Sequence, residues 1–201
     1  MKFIDPIDVA FVVKYHKDLL KTYSTEDEKA MGWAINSQRV RFEILSKIDD
    51  LNNKSVLDVG CGTAKLYQYL IEKFPTMRYV GIDIIEEFLN YATKSIENKD
   101  VAFLKGNFMS DQLPILDYYL ASGSLNYRSS DPLYIFNAIS HLFNNARIGF
   151  GFNLLSFAPT HQTNIISYNT EMIFEFCKML SKKTYLKQGY LDNDFTIFMY
   201  H

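Results

Sequence analysis

Apolar residues and polar breaks alternate along this chain in short segments whose spacing predicts both helices and strands. Two N-terminal segments, residues 7–21 and 37–49, place apolar positions at helical spacing. From residue 55 onward the pattern predicts strands near 55–59, 78–82, 100–105, 116–121 and 147–155, and helices near 64–74, 85–97 and 131–144. This alternation predicts an α/β fold with a doubly wound, mainly parallel sheet.

The last part of the chain predicts a different strand pairing. Residues 184–188 and 195–200 have strand character and are separated by a turn-rich segment, so they predict a C-terminal antiparallel hairpin and bring the sheet to seven strands. With 201 residues, of which 48% are hydrophobic, the chain suits one core and is too short for two ordinary enzyme domains. We expect a single domain, with residues 1–50 as N-terminal lid helices and residues 51–201 as the core.

The first predicted strand runs directly into a turn that contains two glycines. Residues 55–64 read SVLDVGCGTA, in which Val56 and Leu57 suit a strand buried on both faces. Gly60 and Gly62 allow the backbone to turn sharply and to approach a ligand closely. The pattern predicts a cofactor-binding loop, and an ordinary tight turn is the structural alternative.

Two acidic residues narrow the choice of cofactor. A dinucleotide-binding turn has a third glycine where this chain has Lys65, and Asp58 at the strand end would repel a pyrophosphate and attract a cation. The second strand ends in Asp83, about 20 residues after the turn, where a carboxylate accepts hydrogen bonds from ribose hydroxyls. A nucleoside with a positively charged tail fits both acids, and a helix N-cap is the alternative for Asp83.

These residues resemble the class I S-adenosylmethionine-dependent methyltransferases, whose first motif reads approximately V-L-D-x-G-x-G-x-G. The match begins at Val56, and Ala64 stands where many members carry the third glycine. The resemblance covers roughly residues 55–200. It implies a Rossmann-like fold, S-adenosyl-L-methionine as cofactor, S-adenosyl-L-homocysteine as product, and methyl transfer to an acceptor as the activity.

The resemblance also implies where the cofactor lies. Asp83 looks like the family's ribose-binding acid, the segment around Asn107 looks like the loop that receives adenine, and Ser122 and Gly123 lie beside the reactive methyl group. Members usually carry Asp where this chain has Asn107. The expected cofactor-binding residues are Trp33, Arg41, Asp58, Gly60, Cys61, Gly62, Asp83, Ile84, Phe88, Asn107, Phe108, Ser122 and Gly123. For Phe88 and Phe108, core packing is an equal alternative.

A segment before the core, residues 31–43, contains Trp, Asn-Ser, Gln and Arg-Phe in the order found in one bacterial subgroup of these methyltransferases. Our hypothesis is that Arg41 holds the carboxylate of the methionine tail, because a guanidinium binds a carboxylate through two hydrogen bonds. Trp33 would then cover the sulfonium. The alternatives are lid packing for Trp33 and an ordinary surface charge for Arg41.

Methyl transfer from a sulfonium depends mainly on positioning and on exclusion of water, so a general base is not strictly required. If the acceptor is a hydroxyl or a weakly acidic nitrogen, His161, Tyr127 and His16 are the candidates to remove its proton. A structural or exposed position is the alternative for both histidines. None of the histidines has the spacing of a metal site.

The composition limits the classes of molecule that the protein can act on or bind. The net charge is -2 and the basic residues are dispersed, which disfavours a nucleic-acid partner. Cys61 and Cys177 form neither a zinc pattern nor a disulfide framework. The start of the sequence lacks the apolar core of a signal peptide, and no apolar run approaches the roughly 20 residues that span a bilayer. We expect a cytoplasmic enzyme that acts on a small-molecule acceptor. The alternatives are an RNA or protein methyltransferase, a catalytically inactive relative that serves as a binding protein, and a nicotinamide-dependent enzyme.

Overall fold

A computed structural model describes residues 6–25, 28–31, 37–157 and 164–201 of the protein. Its strands are β1 (Ser55–Val59), β2 (Arg78–Asp83), β3 (Val101–Lys105), β4 (Tyr118–Ala121), β5 (Gly149–Leu155), β6 (Lys183–Lys187) and β7 (Asp194–Tyr200). They form one seven-stranded sheet in the order β3-β2-β1-β4-β5-β7-β6. Strands β1 to β5 pair in parallel, and β7 lies antiparallel between β5 and β6. This sheet confirms the predicted Rossmann-like architecture and its C-terminal hairpin.

Six α-helices occur in the described part of the chain. They are α1 (Pro6–Leu20), α2 (Ser37–Leu45), α3 (Lys65–Lys73), α4 (Glu86–Ser95), α5 (Tyr134–Asn145) and α6 (Thr170–Leu180), and a short 3-10 helix spans Glu28–Met31. Helix α2 is shorter than predicted because its hydrogen bonding changes to three-residue turns, with the Ile48 N–H donating to the Leu45 carbonyl. Helix α6 was not predicted.

The sheet is covered on both faces, and the strand pleat decides which residues meet which helices. Leu57 and Val59 of β1 belong to the core that includes α5 and α6, whereas Val56 belongs to the core that includes α2, α3 and α4. Because side chains alternate along a strand, Asp58 points to the same face as Val56. All five residues of β1 are buried, which makes the ionisable side chain of Asp58 exceptional.

The strand order reverses between β1 and β4, since β2 and β3 lie on one side of β1 and β4 lies on the other. In open α/β sheets the crevice at the carboxyl ends of such neighbouring strands is the usual ligand site. Helix α1 lies above this edge of the sheet, and α2 packs against α3 and β5. The division of the chain into a lid and a core at residue 50 stays a prediction.

Within the described ranges, none of the helices is both long enough and apolar enough to cross a lipid bilayer.

Candidate functional site

The loop after β1 is a left-handed turn that is tied to the end of β2. Gly60 and Gly62 have φ angles of 71° and 54°, and a Cβ on Gly60 would lie 2.4 Å from the Ser124 Cβ. The N–H groups of Gly60 and Cys61 donate to the Ile82 carbonyl at 2.9 and 3.1 Å. The loop therefore requires glycine at residue 60, both for its backbone angle and for its close approach to the strand β4 end.

Ala64 adopts the same left-handed conformation, with a φ of 60°, immediately before α3. A residue with a Cβ in this region costs roughly 1–2 kcal/mol. This is the position where the resembling family often carries glycine, and the observed angle gives the physical reason for that preference.

Cys61 helps to pack the loop onto the sheet. A Cβ on Gly81 would lie 2.7 Å from the Cys61 Sγ, so the absence of a side chain on Gly81 lets the loop lie close to β2. Burial raises the pKa of the Cys61 thiol well above its usual value, and the charges of Asp83 and Asp58 act in the same direction. The thiol is therefore neutral and contributes shape. No group of three or more His, Cys, Asp or Glu residues suited to a metal ion occurs among the described residues.

Asp58 is a buried acid below the turn. Its side chain is 2% exposed, and its Oδ2 accepts a hydrogen bond from the Tyr79 hydroxyl at 2.5 Å. Burial raises the pKa of Asp58 to about 7; the nearby charge of Asp83 adds to this effect, and the bond from Tyr79 opposes it. Neither Asp58 nor Asp83 forms an ion pair with any described residue. A cationic ligand would relieve this unfavourable burial of charge.

Asp83 joins the two halves of the site. Its Oδ2 accepts from the Gly62 N–H at 2.8 Å, and its Oδ1 accepts from the Ile85 N–H at 2.8 Å, just before α4 begins. The second bond resembles the helix N-cap that was the alternative interpretation of Asp83. Burial raises the pKa of Asp83, while hydrogen bonds from the backbone oppose that rise. Each carboxylate oxygen has a second lone pair that can accept a ligand hydroxyl.

A cavity of about 1030 Å³, including its opening to solvent, lies between α1 and these loops. Many of the predicted cofactor-binding residues line it together: Asp58, Gly60, Cys61, Gly62, Asp83, Ile84, Phe88, Asn107, Phe108, Ser122 and Gly123. The fold thus collects residues from the ends of four strands around one space. Their roles as ligands to the cofactor stay predictions.

At one end of the cavity, Asn107 is held by its own loop. Its Oδ1 accepts from the Met109 N–H at 3.0 Å, and its backbone N–H donates to Asp111 Oδ2 at 2.8 Å. The side-chain N–H groups form no hydrogen bond with any described residue, so they are the part of Asn107 that could donate to an adenine edge. Asp111, which shapes this loop, was not predicted.

At the end of β4, one side chain leaves a polar atom without a partner among the described residues. Gly123 has a φ of 72°, and its N–H donates to Asn153 Oδ1 at 2.8 Å, which fixes the turn. The Oγ of the neighbouring Ser122 is buried and makes no hydrogen bond with any described residue, and Ser122 lines the cavity. An unpaired buried hydroxyl costs about 1–3 kcal/mol, so a polar ligand atom at this point would be stabilising.

Arg41 has a partner different from the one predicted for it. Its Nε lies 3.1 and 3.0 Å from the two carboxylate oxygens of Asp194, and its Nη2 donates to Oδ2 at 2.7 Å. Both residues are buried, and Arg41 does not line the cavity, whereas Gln38 and Phe42 from the same helix do. The guanidinium therefore joins α2 to β7 instead of facing the methionine carboxylate, and we assign Arg41 a structural role. Because 153 residues separate the partners, no local pattern indicates this pair.

Trp33 and His161 lie outside the described residues. Their predicted roles, closure over the sulfonium for Trp33 and proton removal for His161, stay predictions.

Helix α1 forms the roof of the cavity and is fastened near both ends. Near its start, Asp8 Oδ2 accepts from the Ser129 hydroxyl at 2.6 Å and from the Ser130 N–H at 2.9 Å. Near its end, His16 Nε2 lies 2.7 Å from the Tyr127 hydroxyl. Val9 and Val12 line the cavity between these two points. The sequence singled out His16 of this helix but not Asp8, Val9 or Val12, because only the tertiary fold brings α1 over the strand ends.

We expect Asp8→Ala to loosen this roof. The substitution removes the acceptor of the hydrogen bonds from Ser129 and Ser130, and bonds to a charged group each contribute about 1.5–3 kcal/mol. Amide hydrogen exchange in α1 should accelerate by about tenfold or more. Asp18→Ala is the matched control, since Asp18 is an exposed acid of the same helix that pairs with Lys21 on the surface. Equal exchange in the two variants would contradict the fastening of α1 through Asp8.

Comparisons with known proteins agree with the geometry of the site. A family profile described as a methyltransferase domain matches residues 50–184. The malonyl-[acyl-carrier protein] O-methyltransferase of Acetivibrio thermocellus is 30% identical over 90 residues, which cover 43% of this chain and 32% of that protein. A tRNA (guanine-N(7)-)-methyltransferase of Clostridium botulinum is 37% identical over 49 residues, which cover 24% of this chain and 23% of that protein. The chain thus spans about a third or less of these two relatives.

The fold itself is shared over almost the whole chain with a solved structure. The magnesium protoporphyrin IX methyltransferase of Synechocystis PCC 6803, crystallised with S-adenosylmethionine, superposes with a TM-score of 0.69. Sequence identity is 15%, and the superposition covers 96% of this chain and 97% of the other. At this identity the likeness concerns the architecture of the sheet and helices.

Proposed function

The chain belongs to the methyltransferase domain family, and from this premise we propose that it transfers the methyl group of S-adenosyl-L-methionine to a small-molecule acceptor. The observation that carries the proposal is the pair of buried acids, Asp58 and Asp83, which line one cavity without a cationic partner among the described residues. A ligand that combines a ribose with positive charge satisfies both. A nicotinamide dinucleotide would bring a pyrophosphate close to Asp58, and the negative charge of Asp58 would repel it.

Different residues around the cavity would bind different parts of the cofactor. Asp83 would accept hydrogen bonds from the ribose hydroxyls through the lone pairs that its backbone bonds leave over, and Asp58 would attract the positive charge of the methionine part. The side-chain N–H groups of Asn107 and the ring of Phe108 would hold the adenine. When bound, the cofactor supplies an electrophilic methyl group on a sulfonium. Positioning and exclusion of water by the α1 roof are the chain's main contributions to the rate.

The cover of the cavity supports a small acceptor. Helix α1 lies over the cavity and lines it with Val9 and Val12, so a large substrate would have to reach the acceptor position past this helix. The relative named for malonyl-[acyl-carrier protein] is an O-methyltransferase, which fits an oxygen acceptor, whereas the relative named for tRNA keeps RNA as the competing acceptor.

A labelling experiment separates these acceptors. The protein is incubated with S-adenosyl-L-methionine that carries a radioactive methyl group and with three cell fractions: metabolites below about 3 kDa, total tRNA, and total protein. The expected result is label in the metabolite fraction that requires the wild-type protein and is lost with Asp83→Ala. Transfer of label to tRNA or protein alone would overturn the proposal of a small-molecule acceptor.

A further inference from the structure

Two polar side chains from distant parts of the chain meet over the cavity. His16 belongs to α1, and Tyr127 follows β4; their side chains both line the cavity. The His16 Nε2 lies 2.7 Å from the Tyr127 hydroxyl oxygen, although 111 residues separate them in the sequence. Each residue was predicted separately as a candidate base, and the structure brings the two into one hydrogen bond.

The surroundings of His16 fix the direction of that hydrogen bond. Its Nδ1 lies 3.1 Å from the Ala30 carbonyl oxygen, which can only accept, so Nδ1 carries the proton. In neutral imidazole the other nitrogen is then unprotonated. Burial lowers the pKa of His16, which favours this neutral form, while the bond to Ala30 opposes the shift. Tyr127 therefore donates its hydroxyl proton to the bare Nε2 of His16.

The Tyr127 oxygen can accept a second proton donor. Its hydroxyl has no hydrogen-bond partner other than His16 within the described residues, and its ring is partly exposed at the cavity. Burial raises the pKa of Tyr127, and the two titratable groups close to the pair, Tyr15 and Asp83, add to that rise. The ring centroid of Tyr15 lies 6.4 Å from that of Tyr127. Phe88 packs edge-on against the His16 ring at 5.3 Å and shields it from water. The pair is thus dry on one side and open to the cavity on the other.

We propose that Tyr127 and His16 form a proton relay and that the acceptor is methylated on a hydroxyl oxygen, as in an alcohol or a phenol. This inference rests on the proposed function and deepens it. The acceptor hydroxyl gives its proton to the Tyr127 oxygen while Tyr127 gives its own proton to His16 Nε2. The acceptor oxygen forms a bond to the methyl carbon, and the carbon–sulfur bond of the donor breaks with its electron pair on sulfur. The products are a methyl ether, S-adenosyl-L-homocysteine and a protonated His16, which later releases its proton to solvent.

In this relay Tyr127 contacts the acceptor and is the catalytic residue, and His16 acts through it. The arrangement suits a hydroxyl better than a carboxylate, because a carboxylate carries no proton at neutral pH that needs removal. If the bond only fastens α1, its loss should lower kcat no more than the loss of the Asp8 contacts that fasten the same helix.

The test uses methyl-labelled S-adenosyl-L-methionine and a panel of phenols, primary alcohols, primary amines, thiols and carboxylates. The variants are Tyr127→Phe and His16→Gln, and Tyr15→Phe is the matched control, because Tyr15 is the neighbouring phenol and does not line the cavity. We expect hydroxyl compounds to be methylated and kcat to fall by about 100-fold or more in both variants. Their Kd for S-adenosyl-L-homocysteine should stay within about threefold of the wild type. The control should keep the wild-type rate.

Three results would overturn the relay while leaving cofactor binding intact: methylation of amines, thiols or carboxylates alone, no methylation of any hydroxyl compound, or an unchanged kcat in Tyr127→Phe. Failure of the wild-type protein to bind S-adenosyl-L-homocysteine would instead overturn the proposed function, and the relay with it. A measurement that needs no acceptor is the ¹⁵N spectrum of His16 in the folded protein. We expect a protonated Nδ1 and an unprotonated Nε2, and the opposite tautomer would refute the relay.

Discussion

Replacing Asp58 with asparagine is expected to stabilise the ligand-free protein at pH 8 by about 4 kcal/mol. Burial raises the pKa of Asp58 from 3.8 to about 7. Between these two values the folded protein holds a proton that the unfolded chain has lost, so stability falls as the pH rises through this window. Above pH 7 the full cost of the buried charge is present. Asparagine carries no charge, and its side-chain oxygen can still accept the hydrogen bond from Tyr79.

Urea unfolding at pH 5 and pH 8 measures this effect. Between pH 5 and pH 8, the free energy of unfolding of the wild-type protein should fall by about 2–3 kcal/mol more than that of Asp58→Asn. Asp100→Asn is the control, because Asp100 is exposed in the connection between β2 and β3. The same loss in Asp58→Asn as in the wild type would show that Asp58 does not carry a raised pKa.

The same substitution should weaken cofactor binding. The ionised carboxylate of Asp58 attracts the positive charge of S-adenosyl-L-methionine, so the affinity for this cofactor should fall at least tenfold in Asp58→Asn at pH 8. In the wild type, affinity should also fall as the pH drops below about 7 and Asp58 takes up its proton. Higher stability together with lost affinity would identify Asp58 as a residue kept for binding at the expense of the free protein.

Arg41→Ala is expected to destabilise the protein by about 3–5 kcal/mol, because it leaves the Asp194 carboxylate buried without its partner. The side chains of Arg41 and Asp194 are 5% and 1% exposed, so solvent cannot replace the lost contact. The double variant Arg41→Ala/Asp194→Ala removes both charges and should recover a large part of the loss. Thermal and urea unfolding measure both variants. Arg39→Ala, which changes an exposed residue of the same helix, should stay close to the wild type.

Cofactor affinity in the double variant decides between the two roles considered for Arg41. If Arg41 acts through Asp194, the recovered double variant should bind S-adenosyl-L-homocysteine within a few-fold of the wild type. If Arg41 instead holds the methionine carboxylate, the double variant would be folded and still bind poorly. The second outcome would restore the original sequence-based hypothesis and contradict the structural role.

The parts of the fold that sequence patterns predicted depend on local physics. The strand at residues 55–59 and the turn after it are encoded by adjacent apolar residues and by glycines whose φ angles are positive. Asp58 and Asp83 could be placed because a strand end fixes the position of the residue that terminates it. Their approach to the same cavity follows from the parallel pairing of β1 with β2.

Helix α6 was missed although a local signal was present. Ile173 and Cys177 lie four residues apart and are its fully buried residues. The start was marked by Asn169, whose side chain accepts from the Met172 N–H at 2.9 Å, and by Glu171 in the first turn. Helical spacing of apolar residues and a capping pattern were therefore both present in the sequence.

The features that sequence patterns could not predict are contacts between distant segments. Arg41 meets Asp194 and His16 meets Tyr127 only because the N-terminal helices fold back over the sheet. A guanidinium on an amphipathic helix has the same pattern whether it binds a ligand or a buried acid. The choice between these depends on tertiary structure, which is why neither the Arg41–Asp194 pair nor the His16–Tyr127 bond could be predicted from local patterns.

In the proposed function, the cavity under α1 binds the cofactor through Asp83 and its neighbours. Calorimetric titration with S-adenosyl-L-homocysteine at pH 8 measures this binding. We predict micromolar binding by the wild type, binding weaker by about 100-fold or more in Asp83→Ala because hydrogen bonds to an ionised group are lost, and wild-type affinity in Asp100→Ala. Absence of binding by folded wild-type protein, or equal affinity in Asp83→Ala, would contradict the account.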